Sequence, residues 1–252
     1  MSPLHDDDPP PYEDPQPEDA DKLVPPTIHI LYRQAIHPES PDADPIYELT
    51  RGVAHLTHAT SEVELRRVDR AVRTDAAGQA TVTQRRRHIY DLRLQKGIHG
   101  TLSTLPSDSP PFFVEPMSRR ELGAFALDKS RLRSQWKACP MDLSGKSSKY
   151  NRPAFLKGGK HLFEVRRKDG RYEWADAEGR AIAVEDQGEE QHRLLVTASL
   201  RRDVVDALVA LWCCRLWQYS AEHQEPLYTG ADAGKFCPPP GFDQPHLTWV
   251  CC

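Results

Sequence analysis

The chain has 252 residues, of which 38% are hydrophobic and 22 are proline, and its formal net charge is −4. A charge so near balance gives no footing for a nucleic-acid binder. No window approaches the roughly 18 consecutive apolar residues of a membrane-spanning helix.

The opening, MSPLHDDDPPPYEDP, lacks both a basic n-region and an apolar h-region, so it is not read as a secretory signal. The six cysteines include the adjacent pairs Cys213–Cys214 and Cys251–Cys252 and form no disulfide framework. The expected location is the cytosol, with a peripheral membrane position as the alternative. Residues 1–26 combine acid, proline and no apolar periodicity, which predicts a disordered tail. Within it Pro9, Pro10, Pro11 and Tyr12 match the PPxY ligand of WW domains. There the prolines hold a polyproline II helix and Tyr12 fills an aromatic groove. The implied partner is a WW-domain protein such as a ubiquitin ligase; the alternative is a proline-rich spacer.

From TIHILYRQ onward the texture is β-like. PIYELTR, EVELRRVDRAV, RRHIYDLRL, FFVEP and HLFEVRRK alternate apolar with polar residues. Ile46–Leu49, Ile89–Leu92 and Leu162–Val165 share the order aliphatic, aromatic, acid, aliphatic, at unequal spacing. Residues 97–111 and 139–154 read as loops, while MSRRELGAFAL fits either a short helix or a strand. Over 160–198 the pattern predicts a four-stranded antiparallel meander. Its turns fall at Asp169-Gly170 and Glu178-Gly179.

The meander runs into VVDALVALWCCRLWQ, Val204 to Gln218. At helical spacing its large apolar residues cover more than half the circumference, and Ala207, Ala210, Cys213 and Cys214 cover most of the rest. Such a helix is buried, so a core helix is expected over about 200–221, capped by Asp203 or Ser199. Arg215 is the exception and needs an acidic partner or a route to solvent.

Strands followed by one buried C-terminal helix resemble the tubby C-terminal-like architecture shared by tubby, phospholipid scramblase and LURP-one-related proteins. More narrowly, PIYELTR…LTHATSEVELRRVDRAVRT, RRRHIYDLR and QHRLLVTASLRRDVVDALVALWCCRLW are similar to a set of uncharacterised proteins of filamentous fungi. The resemblance spans about 27–221. It implies a mainly β fold, a closed or nearly closed antiparallel barrel around the helix, followed by an irregular tail over 222–252. It implies no agreed activity. Tubby reads phosphoinositides with basic residues on its barrel, and no residue of that site maps onto this chain.

Basic runs stand at Arg66–Arg73, at Arg85, Arg86, Arg87 and Arg93, and from Lys146 to Lys160. Convergence of Arg85 and Arg87 with Lys157 and Lys160 would make an anion site for a phosphorylated head group. The alternative is a solvated face paired with nearby acids. Strand alternation puts Arg85, Arg87 and Ile89 on one face, with Tyr90 and Leu92 on the other. SGKSSK lacks the glycine of a phosphate-binding loop, since Pro140 stands in its place. No catalytic motif, zinc spacing or cofactor motif is present. The terminal Cys251-Cys252 pair is a candidate for lipidation, against a frayed tail.

The expected function is a non-enzymatic adaptor or membrane-peripheral binding protein that touches anionic lipid. The alternatives are a scramblase-like lipid handler and an enzyme whose pocket is built from scattered residues.

Overall fold

The computed structural model describes residues 22–74, 79–97, 100–130, 135–187 and 191–224. The proline motif at Pro9–Tyr12 and the Cys251-Cys252 pair lie outside them. In chain order the strands are β1 Leu23–Val24, β2 Thr27–Tyr32, β3 Ala35–Pro38, β4 Tyr47–Leu49, β5 Glu62–Thr74, β6 Ala80–Leu94, β7 Phe112–Pro116, β8 Phe125–Lys129, β9 Gln135–Asp142, β10 Ala154–Phe155, β11 Phe163–Lys168, β12 Arg171–Asp176, β13 Ala181–Gln187, β14 His192–Val196 and β15 Leu200–Arg201. Among the described residues one α-helix, α1, follows over Arg202–Gln224.

Twelve strands close into an antiparallel barrel. Following the hydrogen bonds from β2, the order is β3, β4, β5, β6, β7, β8, β9, β11, β12, β13 and β14, which pairs back to β2. Closure leaves no edge within the ring for another chain to join. The short β10 hangs outside on β9. The meander forms as its alternation requires, from β11 to β14. Asp169 and Gly170 both take positive φ, 49° and 80°, as a two-residue primed turn demands. Of the undecided segment 117–127, only residues 125–127 are strand, at the start of β8, and residues 117–124 are turn and irregular chain.

The three similar tetrapeptides do one job. Tyr47, Tyr90 and Phe163 point inward and are at most 1% exposed. The acids beside them are paired with arginines, Glu48 with Arg86, Asp91 with Arg93 and Glu164 with Arg166.

The helix runs down the barrel axis. Every residue from Val205 to Trp217 is buried, and Trp212, Trp217 and Leu208 are fully enclosed. Each such side chain contributes about 1.5–3 kcal/mol on burial. Because β14 and β15 deliver the chain to one mouth, α1 starts there, beside Thr27 and Val196, and this is called the upper end. Towards the other end of the helix, Trp217 Nε1 donates to the carbonyl of Thr57 at 3.3 Å. That lower end holds the β2–β3 and β11–β12 turns.

Three expectations need correction. The helix begins at Arg202 and extends to Gln224, because residues 200–201 form β15. The tail boundary at residue 26 is too late. Leu23 and Val24 pair with Arg201 and Leu200, Arg202 N donates to Lys22 O, and Val24 is buried. Simple alternation also fails in β6. A bulge opposite Leu65 and Arg66 moves the register by one, so that Arg87 faces Arg67 while Tyr90 faces Leu65. Arg67 and Leu65 both point inward, so Arg87 shares the face of Tyr90 and Leu92.

Candidate functional site

The charges inside the barrel are consumed by the fold. Near the upper end Arg67 donates to Asp206 at 2.6 Å and to Asp69 at 2.7 Å, and Tyr47 Oη donates to Asp206 at 2.7 Å. Burial raises the Asp206 carboxyl above its usual range, opposed by Arg67 and by the Tyr47 hydrogen bond. Near the lower end Arg215 finds the acidic partner its position requires. Its guanidinium bonds Glu185 through two nitrogens and sits 4.1 Å from the Tyr172 ring centroid. Both networks bridge helix to wall, which fixes the rotation of α1 inside the ring.

The other interior groups that titrate are shifted by burial. His29 is 1% exposed, and neither ring nitrogen has a hydrogen-bond partner among the described residues. Burial, reinforced by Arg202, lowers its pKa to about 4. Burial pushes the Cys214 thiol up to about 12 and raises Cys213 and Cys139 as well. These thiols therefore lack the electropositive, exposed setting of a nucleophilic cysteine. Among the described residues no three His, Cys, Asp or Glu side chains are grouped to hold a metal ion. No described helix is long and apolar enough to cross a membrane.

The structure does not gather the four basic residues singled out in the sequence. Arg87 is spent on Glu121 at 3.0 Å. Arg86 pairs with Glu48 at 2.6 Å, and Arg70 with Asp44 at 3.4 Å. Lys157 and Lys160 lie exposed on the loop between β10 and β11, which is tied to Pro140 of β9 through Leu156 N. Three strand spacings, about 14 Å, separate β6 from β9. Most of the basic run thus meets acidic neighbours. Arg85 is exposed and makes no ion pair among the described residues.

A different surface emerges from the same segment. Strands β5 and β6 are 13 and 15 residues long, against about 5–6 for an ordinary strand. The barrel wall uses only their lower parts. From Arg70, opposite Gln84, to Thr74, opposite Ala80, the pair stands clear of the barrel as a two-stranded ribbon at the upper end. Val72 and Val82 face each other across it and are 69% and 64% exposed. Between residues 70 and 85 the sequence carries three arginines against one aspartate. Strand length was the one sequence signal for this arm, in the run EVELRRVDRAVRT without glycine or proline and the long polar lead into RRRHIYDLRL.

The chain matches no family model, no curated protein and no solved structure.

Proposed function

We propose that the protein is a non-enzymatic, membrane-peripheral binding module, a tubby-like barrel that docks on anionic lipid through the β5–β6 ribbon. The observation that carries this reading is the exposed Val72–Val82 pair on a basic arm projecting from the upper end. An exposed aliphatic pair with a nearby arginine, unpaired among the described residues, suits the membrane interface. The valines enter the acyl boundary and Arg85 meets phosphate. The filled barrel favours a surface site, because α1 occupies the axis and its buried charges Asp206 and Arg215 are committed to the wall. The arrangement of strands and helix supports the likeness to tubby-like domains. A scramblase-like reading is less favoured, since α1 is enclosed by twelve strands and is not offered to lipid. The PPxY tail would recruit a WW-domain partner to the docked barrel.

The test is co-sedimentation with phosphatidylcholine vesicles, with and without phosphatidylserine. Binding is expected only to the anionic vesicles and is expected to weaken with salt. Each arginine near such a surface contributes about 1 kcal/mol, so Arg85→Ala should weaken binding about fivefold. Val72→Asp/Val82→Asp should abolish it while leaving the melting temperature unchanged, because neither side chain packs in the core. Equal binding by the valine variant would refute the arm as the docking element.

A further inference from the structure

The lower end of the barrel, opposite the ribbon, carries an open cleft of about 530 Å³ between the β2–β3 turn and the segment that leads into β5. That volume lies within the small-molecule range. Its floor is apolar, made by Leu31, Ala54 and the half-exposed ring of Tyr32. Its polar groups are the side chains of Arg33, Gln34, His55 and His192. Among the described residues the lining includes no carboxylate and no lysine.

The walls are built closely. Leu49 N donates to Gln34 O at 2.7 Å. A Cβ on Gly52 would lie 3.0 Å from the carbonyl oxygen of Arg33, so glycine lets the two walls approach. Arg33 itself sits at φ 55°, a conformation that costs a non-glycine residue free energy and that glycine adopts without strain. The strained residue also lines the cleft, and its guanidinium lies 5.2 Å from the Tyr32 ring centroid. It forms no ion pair among the described residues. His192 Nδ1 is buried without a hydrogen-bond partner among them.

We propose that this cleft binds a small organic monocarboxylate with an apolar or aromatic body. Arg33 supplies the one permanent charge among the described lining residues, and its planar fork matches a carboxylate through two parallel hydrogen bonds. A dianion such as a phosphate monoester would want a second fixed cation, which the described lining residues do not offer. Burial and the neighbouring His55 lower the His192 pKa, so its ring is neutral at pH 7 and serves as a hydrogen-bonding group. Leu31, Ala54 and the Tyr32 ring would cover the ligand body. This inference stands apart from the membrane reading, because the cleft and the ribbon are at opposite ends.

The experiment is a titration of the full chain with benzoate, benzamide and phenyl phosphate, followed by calorimetry and by backbone amide shifts. Benzoate should perturb the amides of residues 31–34, 52–55 and 192. It should bind about tenfold or more tighter than benzamide, the difference a charge-assisted hydrogen-bond pair makes. Arg33→Gly should lose that advantage while melting at the same temperature or higher, since glycine relaxes the turn. His55→Ala, on the exposed rim, is the second variant and should weaken benzoate binding without unfolding. The proposal is overturned by an absence of benzoate binding at millimolar concentration, or by shifts confined to other residues. Parity between benzoate and benzamide, tighter binding of phenyl phosphate, or undiminished affinity in Arg33→Gly would overturn it equally.

Discussion

Replacing His29 by leucine should make the protein more stable and flatten its response to acid. His29 lies on β2 with its ring at the edge of Tyr47, the centroids 6.0 Å apart. Both ring nitrogens are buried without partners among the described residues. Removing two such groups at similar volume should gain about 1 kcal/mol at neutral pH. The larger effect is in the pH dependence. The folded pKa is lowered from 6.5 to about 4, so below pH 6.5 the unfolded chain takes up the proton first. Stability from this group is therefore full above pH 6.5 and is lost as the pH falls towards 4. The loss is about 2 kcal/mol at pH 5 and about 3 kcal/mol at pH 4. Urea denaturation of both proteins between pH 8 and pH 4.5 isolates the term, because the carboxylates titrate alike in the two. The gap between the curves should widen steadily on acidification. Parallel profiles would show that His29 is solvated or partnered, and the reasoning would fail.

Leu208→Asp places a charge in the fully enclosed centre of α1. It should cost about 5 kcal/mol or more and leave no cooperative melt by circular dichroism. Glu185→Ala strands the buried guanidinium of Arg215 and should cost about 3–5 kcal/mol by urea denaturation, whereas Glu185→Leu/Arg215→Met should recover most of that loss. Deleting residues 1–21 should leave the melting temperature unchanged. Deleting 1–26 should lower it, because β1 and the buried Val24 go with it; equal melting of both truncations would show that β1 adds nothing. Tyr12→Ala should abolish binding of the N-terminal segment to a WW domain, measured by fluorescence anisotropy, and unchanged affinity would reduce the motif to a spacer.

The parts legible in the sequence were those written in local periodicity. Alternation gave away β11 to β14, since one pleated face must be apolar if a strand is to line a core. The Asp169-Gly170 pair announced its turn, since few residues accept two successive positive φ values. The largely apolar surface of Val204–Trp217 demanded enclosure, and Arg215 within it demanded an acid.

Which acid it was lay beyond reach. Glu185 is 30 positions away in the chain and meets Arg215 only because the barrel closes around α1. The same holds for Arg67 and Asp206, 139 positions apart. The expected gathering of Arg85 and Arg87 with Lys157 and Lys160 failed for this reason: partners are chosen by strand order and register, and one bulge in β6 changed which face Arg87 shares. The ribbon became visible only once twelve paired strands set the height of the wall. The cleft of Arg33, His55 and His192 needed three distant segments to meet at the lower end. Side-chain direction along one strand or helix is a property of neighbouring dihedrals and can be read from the sequence. Convergence between strands depends on how the whole ring closes, and that is a property of the tertiary structure.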